Sequence, residues 1–207
     1  MTAEKFRGCL RMLFWGFLGL AAFYVLAFLS AANAPLIGGG NYPAEVVLEE
    51  TLPALSGWAA IVSGGVALAG FVRLRRTDEN CTNALIACVV SVISSALAQY
   101  LEQAYGVQSA FLLRVVGEIS GSLALCLMFH GIGQYLGKAG TPAFRVRAKQ
   151  ASLWYLAARA AGFFLELFPL MPDLGRGLSA AVSLTAFAII QVFLYRAIRA
   201  ADREMAP

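Results

Sequence analysis

Charge is absent from long stretches of this chain. Uninterrupted uncharged runs extend from Met12 to Ala44, Thr51 to Val72, Asn80 to Leu101, Ile119 to Gly137 and Gly177 to Tyr195. Each is long enough for the roughly 20 residues that cross a ~30 Å hydrocarbon core as a helix. A sixth segment, 151–170, is apolar apart from Arg159 and Glu166. The pattern predicts helices at about 10–33, 54–74, 83–104, 109–137, 150–170 and 177–200.

Composition supports that reading. Hydrophobic residues make up 59% of the 207 and charged residues 14%, whereas a soluble domain carries about a quarter charged. Mean hydropathy is +0.70. The 16 Lys and Arg decide the orientation. Lys5, Arg7 and Arg11 precede the first run, and Arg73, Arg75 and Arg76 follow the second. Lys138, Arg145, Arg147 and Lys149 follow the fourth, and Arg196, Arg199 and Arg203 follow the last. The other gaps hold only Arg176. The positive-inside rule then places both termini in the cytoplasm. It also requires 151–170 to cross, since otherwise the C-terminal arginines would lie outside. The expected fold class is all-α: a polytopic membrane helix bundle with six transmembrane helices, forming one integral membrane domain over 1–207 in the cell membrane.

The N-terminus imitates a secretory signal, with a small-residue site at Ala32-Asn33-Ala34. Its apolar run exceeds the ~7–15 residues of a signal core and Pro35 would follow the cut, so an uncleaved first helix is expected. The longest loop, 34–53, carries Gly38-Gly39-Gly40 and Glu45, Glu49 and Glu50. All seven prolines fall in loops, at helix ends or at the terminus, unlike the broken helices of many secondary transporters. Gly64-Gly65 is the strongest candidate for an internal break. Cys9, Cys81, Cys88 and Cys126 form no disulfide framework.

Charges inside spans are rare and are usually paired or face a cavity. Arg114 and Glu118 are four apart on helix 4, and Arg159 and Glu166 are seven apart on helix 5, so each couple shares a helix face. By the ~1.5 Å rise, Arg114 lies roughly 6 Å and Glu118 about 12 Å from the outer boundary, with Glu166 at about 5 Å and Arg159 at about 15 Å. Matched depths predict the pairs Glu118–Arg159 and Arg114–Glu166, joined by Glu102 and Gln99 of helix 3. This cluster is either a set of structural ion pairs or an outer pocket for a polar solute or ion. Gly117-x-x-x-Gly121 and Gly133-x-x-x-Gly137 are read as close-packing sites. His130, the only histidine, shares a helix face with Cys126 and Gln134 and is expected to be a satisfied polar group.

Several chemistries are excluded. One histidine cannot supply a zinc-protease ligand set, and no metal or cofactor is expected. Ser120 and His130 would stand about 15 Å apart on one helix, too far for a dyad. No aspartate lies inside a predicted span, and no Cys-x-x-Cys is present. No basic stripe interleaved with exposed aromatics argues for nucleic acid.

Two fragments carry a resemblance. Leu13-Phe14-Trp15-Gly16-Phe17, together with Leu170-Met171-Pro172-Asp173-Leu174 before a helix ending Leu194-Tyr195-Arg196, resembles small uncharacterised polytopic membrane proteins of Gram-positive bacteria. That implies membrane embedding and no known activity. The size, six spans and cytoplasmic termini also resemble the substrate-binding subunits of energy-coupling-factor vitamin transporters. The small-residue helix-1 surface those subunits offer a partner corresponds here to Ala21, Ala22 and Ala27. Two functional readings follow. The first is a non-enzymatic scaffold or accessory subunit that packs in the bilayer against a membrane-protein partner or a second copy. The alternative is a solute-binding or transport protein whose site is the charged cluster.

Overall fold

The structure, a computed structural model, describes the backbone of residues 1–37, 52–105, 107–167 and 172–204, and the side chains within 1–26, 58–105, 110–165 and 178–203. It is all-helical: α1 Ala3–Ile37, α2 Leu52–Leu74, α3 Glu79–Tyr105, α4 Val107–Lys138, α5 Ala143–Leu167 and α6 Pro172–Glu204. Four of the six, α1, α3, α4 and α6, are long and apolar enough to cross a membrane among the described residues, and α2 adds a shorter apolar stretch, Trp58–Leu74. These lengths suit an integral membrane protein in contact with lipid.

Several helices outrun their expected ends into charged stretches, α1 starting at Ala3, α5 at Ala143 and α6 running to Glu204, whereas α2 ends at Leu74 as expected. The expected basic link 138–149 shrinks to 139–142, because Ala148 and Phe144 continue the buried face of α5 about one and two turns before Ser152. Gly140, with φ 123°, terminates α4 in the left-handed region that glycine tolerates. Asp78 starts α3 by accepting from the backbone N–H of Asn80 at 3.0 Å, the work of an N-cap carboxylate. At the other ends, α1 continues through Pro35 to Ile37, α6 begins on Pro172, and α2 passes through Gly64-Gly65 without interruption. Most of the loop expected over 34–53 lies outside the described residues.

Chain neighbours pack as antiparallel hairpins, α1 on α2 and α3 on α4 most extensively. Helices α5 and α6 bridge the two hairpins, with α5 on α4 and α6 on α1, whereas α2 and α3 touch little among the described residues. The core is concentrated at one end. Phe6, Leu10 and Leu13 of α1, Leu74 of α2, Met128, Phe129, Ile132 and Leu136 of α4, Phe144 of α5 and Leu194 of α6 are essentially sealed. Phe193 stacks between Phe129 and Phe144, at centroid distances of 4.5 and 5.5 Å. The same end gathers the basic residues of alternate gaps: Arg7 pairs with Asp202 at 3.5 Å and Lys138 with Asp78 at 3.7 Å. We term it the basic end.

Glycines set how closely the hairpins close. A Cβ on Gly16 would stand 2.6 Å from the Ala67 backbone nitrogen, so α1 and α2 meet backbone to backbone there. Gly133 meets Ala148 of α5 at 2.5 Å by the same measure, and Gly64 and Gly65 face open space. Gly16→Ala is therefore expected to destabilise by about 1–3 kcal/mol through overpacking, lowering the melting temperature in detergent. Gly65→Ala should be neutral or raise it slightly, since Ala is favoured over Gly in a helix by about 1 kcal/mol. Equal tolerance of both changes would contradict the backbone contact.

Candidate functional site

The α3–α4 hairpin positions the first charged pair. Gly117 and Gly121 admit α3 so closely that a Cβ at either would meet Ser95 Oγ at 2.8 Å or Ser91 Oγ at 2.9 Å. Ser91 Oγ donates to the Gly117 carbonyl at 2.7 Å, which locks the register. With that register, Arg114 Nη1 lies 3.2 Å from Glu102 Oε1. One turn further along α4, Glu118 accepts from Arg159 of α5. The order across the helices is thus Glu102, Arg114, Glu118, Arg159, with alternating sign.

Sequence reasoning matched Glu118 with Arg159, and the two do meet. It matched Arg114 with Glu166. Arg114 meets Glu102, which the serine–glycine contact brings against α4 at that level; the Glu166 side chain, and with it the expected Arg114–Glu166 pair, lies outside the described residues. Gln99 is exposed one turn before Glu102 on α3 and makes no hydrogen bond among the described residues. The pairs lie at the bundle surface: side-chain exposure is 60% for Arg114, 53% for Glu118 and 33% for Arg159. Glu102 is the best covered, and its Oε1 accepts no hydrogen bond among the described residues despite its ion pair.

A second polar group joins α4 to α5. His130 Nδ1 is 3.1 Å from the Cys126 carbonyl, so the Nδ1–H tautomer donates within its own helix. Ser152 Oγ stands 3.5 Å from the same nitrogen and donates to the Ala148 carbonyl at 3.0 Å. Ser152 is buried, and sequence reasoning missed it; its four-residue spacing from Ala148 on the apolar face of α5 was the available signal. With each proton committed to a backbone carbonyl, the couple does not have the short hydrogen bond of an activated nucleophile. Gln134 is half-buried one turn beyond His130 and forms no hydrogen bond among the described residues. No group of three or more His, Cys, Asp or Glu gathers among the described residues.

At the basic end, a cleft of about 1010 Å³ lies between α1 and α2, lined by Lys5, Cys9, Arg73, Arg75 and Arg76 among others. Arg73 Nη1 rests 3.2 Å from Met12 Sδ of α1. No family model, curated protein or solved structure matches the chain.

The ion pairs make a thermodynamic prediction. An uncompensated charge costs about 2.5–3.5 kcal/mol at the centre of a bilayer and less toward its surface. Glu118→Leu or Arg159→Leu alone should therefore reduce the yield and melting temperature of protein extracted from membranes. The double variant should recover most of the loss. If the double variant is worse than the sum of the singles, the pair is not acting as a mutual neutraliser.

Proposed function

We propose that the chain is a six-span integral membrane protein with both termini in the cytoplasm, working without catalysis as an accessory or scaffold subunit that packs against another membrane protein or a second copy of itself. The observation that carries this reading is the half-exposed Glu118–Arg159 pair on the α4–α5 surface. An ion pair left against lipid is unfavourable, and a protein surface laid over it supplies the missing polar contacts. Ile119, beside Glu118, is exposed and would lie inside such a contact. The fragments Leu13-Phe14-Trp15-Gly16-Phe17 and Leu170-Met171-Pro172-Asp173-Leu174, which resemble small polytopic membrane proteins without known activity, also support this reading.

A photo-crosslinking residue at Ile119 is expected to give one adduct of defined mass in native membranes. The same residue at Ile86, exposed on α3 near the basic end, should give none of that mass. Identical products at both positions would speak for lipid contact alone and against a partner.

The second reading, a binding or transport protein, is favoured by Glu102. Its covered Oε1, with no hydrogen bond among the described residues, is an acceptor that a donor-bearing solute or cation would satisfy. This reading expects ions, amino acids, vitamins or nucleosides to raise the melting temperature, and the rise to vanish in Glu118→Gln and Arg159→Gln. No rise with any of them, in folded protein, leaves the packing reading.

A further inference from the structure

A groove of about 460 Å³ runs between α5 and α6. One end holds Arg147 and Arg196, and from there it passes along Trp154, Ala188, Ile189 and Val192 to Thr185. Arg147, Trp154, Ala188, Val192 and Arg196 are all exposed, so the groove opens outward from the bundle. No ion pair to either arginine occurs among the described residues, unlike Arg7, Arg114, Lys138 and Arg159, which each meet a carboxylate.

We infer that this groove binds an anionic phospholipid, with the phosphate between Arg147 and Arg196 and one acyl chain laid along the apolar wall. Three features converge on that occupant. From Arg196 to Thr185 the helical rise gives a length of roughly 16 Å, about half of a ~30 Å hydrocarbon core and so one leaflet deep. The cations stand at the basic end and the apolar wall leads away from it, the polarity of a lipid in that leaflet. Side chains lean toward the N-terminus of their own helix. Phe144 meets Phe193, which in antiparallel α5 and α6 sets the Arg147 backbone deeper than that of Arg196, so this lean tips Arg147 toward the basic end and Arg196 away from it and narrows the difference in level. Basic pockets between membrane helices recognise anionic headgroups in this way. The basic cleft between α1 and α2 has more cations, yet Val72 is the deepest residue that α2 gives it, and so it offers no comparable wall for an acyl chain.

The inference rests on α5 crossing the bilayer, and Trp154 tests both together. In a Trp15→Phe, Trp58→Phe background it is the only tryptophan. In vesicles of unlabelled phosphatidylcholine containing a minor fraction of either brominated phosphatidylglycerol or brominated phosphatidylcholine, quenching reports which lipid occupies the groove. Phosphatidylglycerol should be preferred roughly thirtyfold, as two interfacial arginines imply. Arg147→Gln with Arg196→Gln should abolish the preference, and so should Ala188→Phe, which fills the wall and leaves both charges. Arg75→Gln with Arg76→Gln removes equal charge elsewhere and should change nothing. Equal quenching by both lipids, or a preference that survives loss of Arg147 and Arg196, overturns the lipid site while α5 remains in the bilayer. No quenching by either lipid overturns the crossing of α5 itself.

Discussion

Backbone contact at glycine is the constraint on which this bundle depends. Lipid tails are as apolar as leucine side chains, so helices in a membrane gain little by hiding leucine from lipid and associate through close packing and hydrogen bonds. Gly16 against Ala67, Gly117 and Gly121 against the serines of α3, and Gly133 against Ala148 are places where glycine lets helices approach closely. The hydroxyl–carbonyl bond from Ser91 to Gly117 exists only because α3 and α4 are that near. The charged pairs follow in turn, since the α3–α4 register brings Glu102 to Arg114.

The two ends are built differently. At the basic end all six helices contribute to one aromatic and aliphatic core, from Phe6 of α1 to Ala201 of α6. Away from it, α1 has no fully buried side chain among its described residues beyond Phe17, and α2 has none before Ala67. The α3–α4 hairpin stays closed throughout, with Ser94 and Ala98 buried on one helix and Ala110 and Gly117 on the other. This division places rigid packing where the cations collect and leaves the charged cluster on a surface that another protein or a solute can reach.

Much of this was legible in the residues. Long uncharged runs identify helices because an unpaired charge is costly in hydrocarbon, and the Glu118–Arg159 contact was readable from depth alone. Helix ends were less legible. Arg145, Arg147 and Lys149 read as loop by charge, yet they occupy the exposed face of a helix whose other face carries Phe144 and Ala148. The direct Glu102–Arg114 contact was less legible because depth does not report lateral position: Glu102 reaches Arg114 only once the Ser91–Gly117 contact has drawn α3 in. Ser152 escaped notice because its partner His130 lies on a different helix, at a separation no spacing rule covers.

Everything proposed for the two faces, a partner surface in one leaflet and a lipid groove in the other, requires six crossings with the basic end inside. Single cysteines introduced at Asn41, Glu79, Pro142 and Asp173, in a chain whose four native cysteines are replaced by alanine, test this with a membrane-impermeant thiol reagent. The account expects positions 41 and 173 to be labelled in intact cells, and 79 and 142 only after permeabilisation. Labelling of 142 and 173 from the same side would show that α5 does not cross and would contradict it.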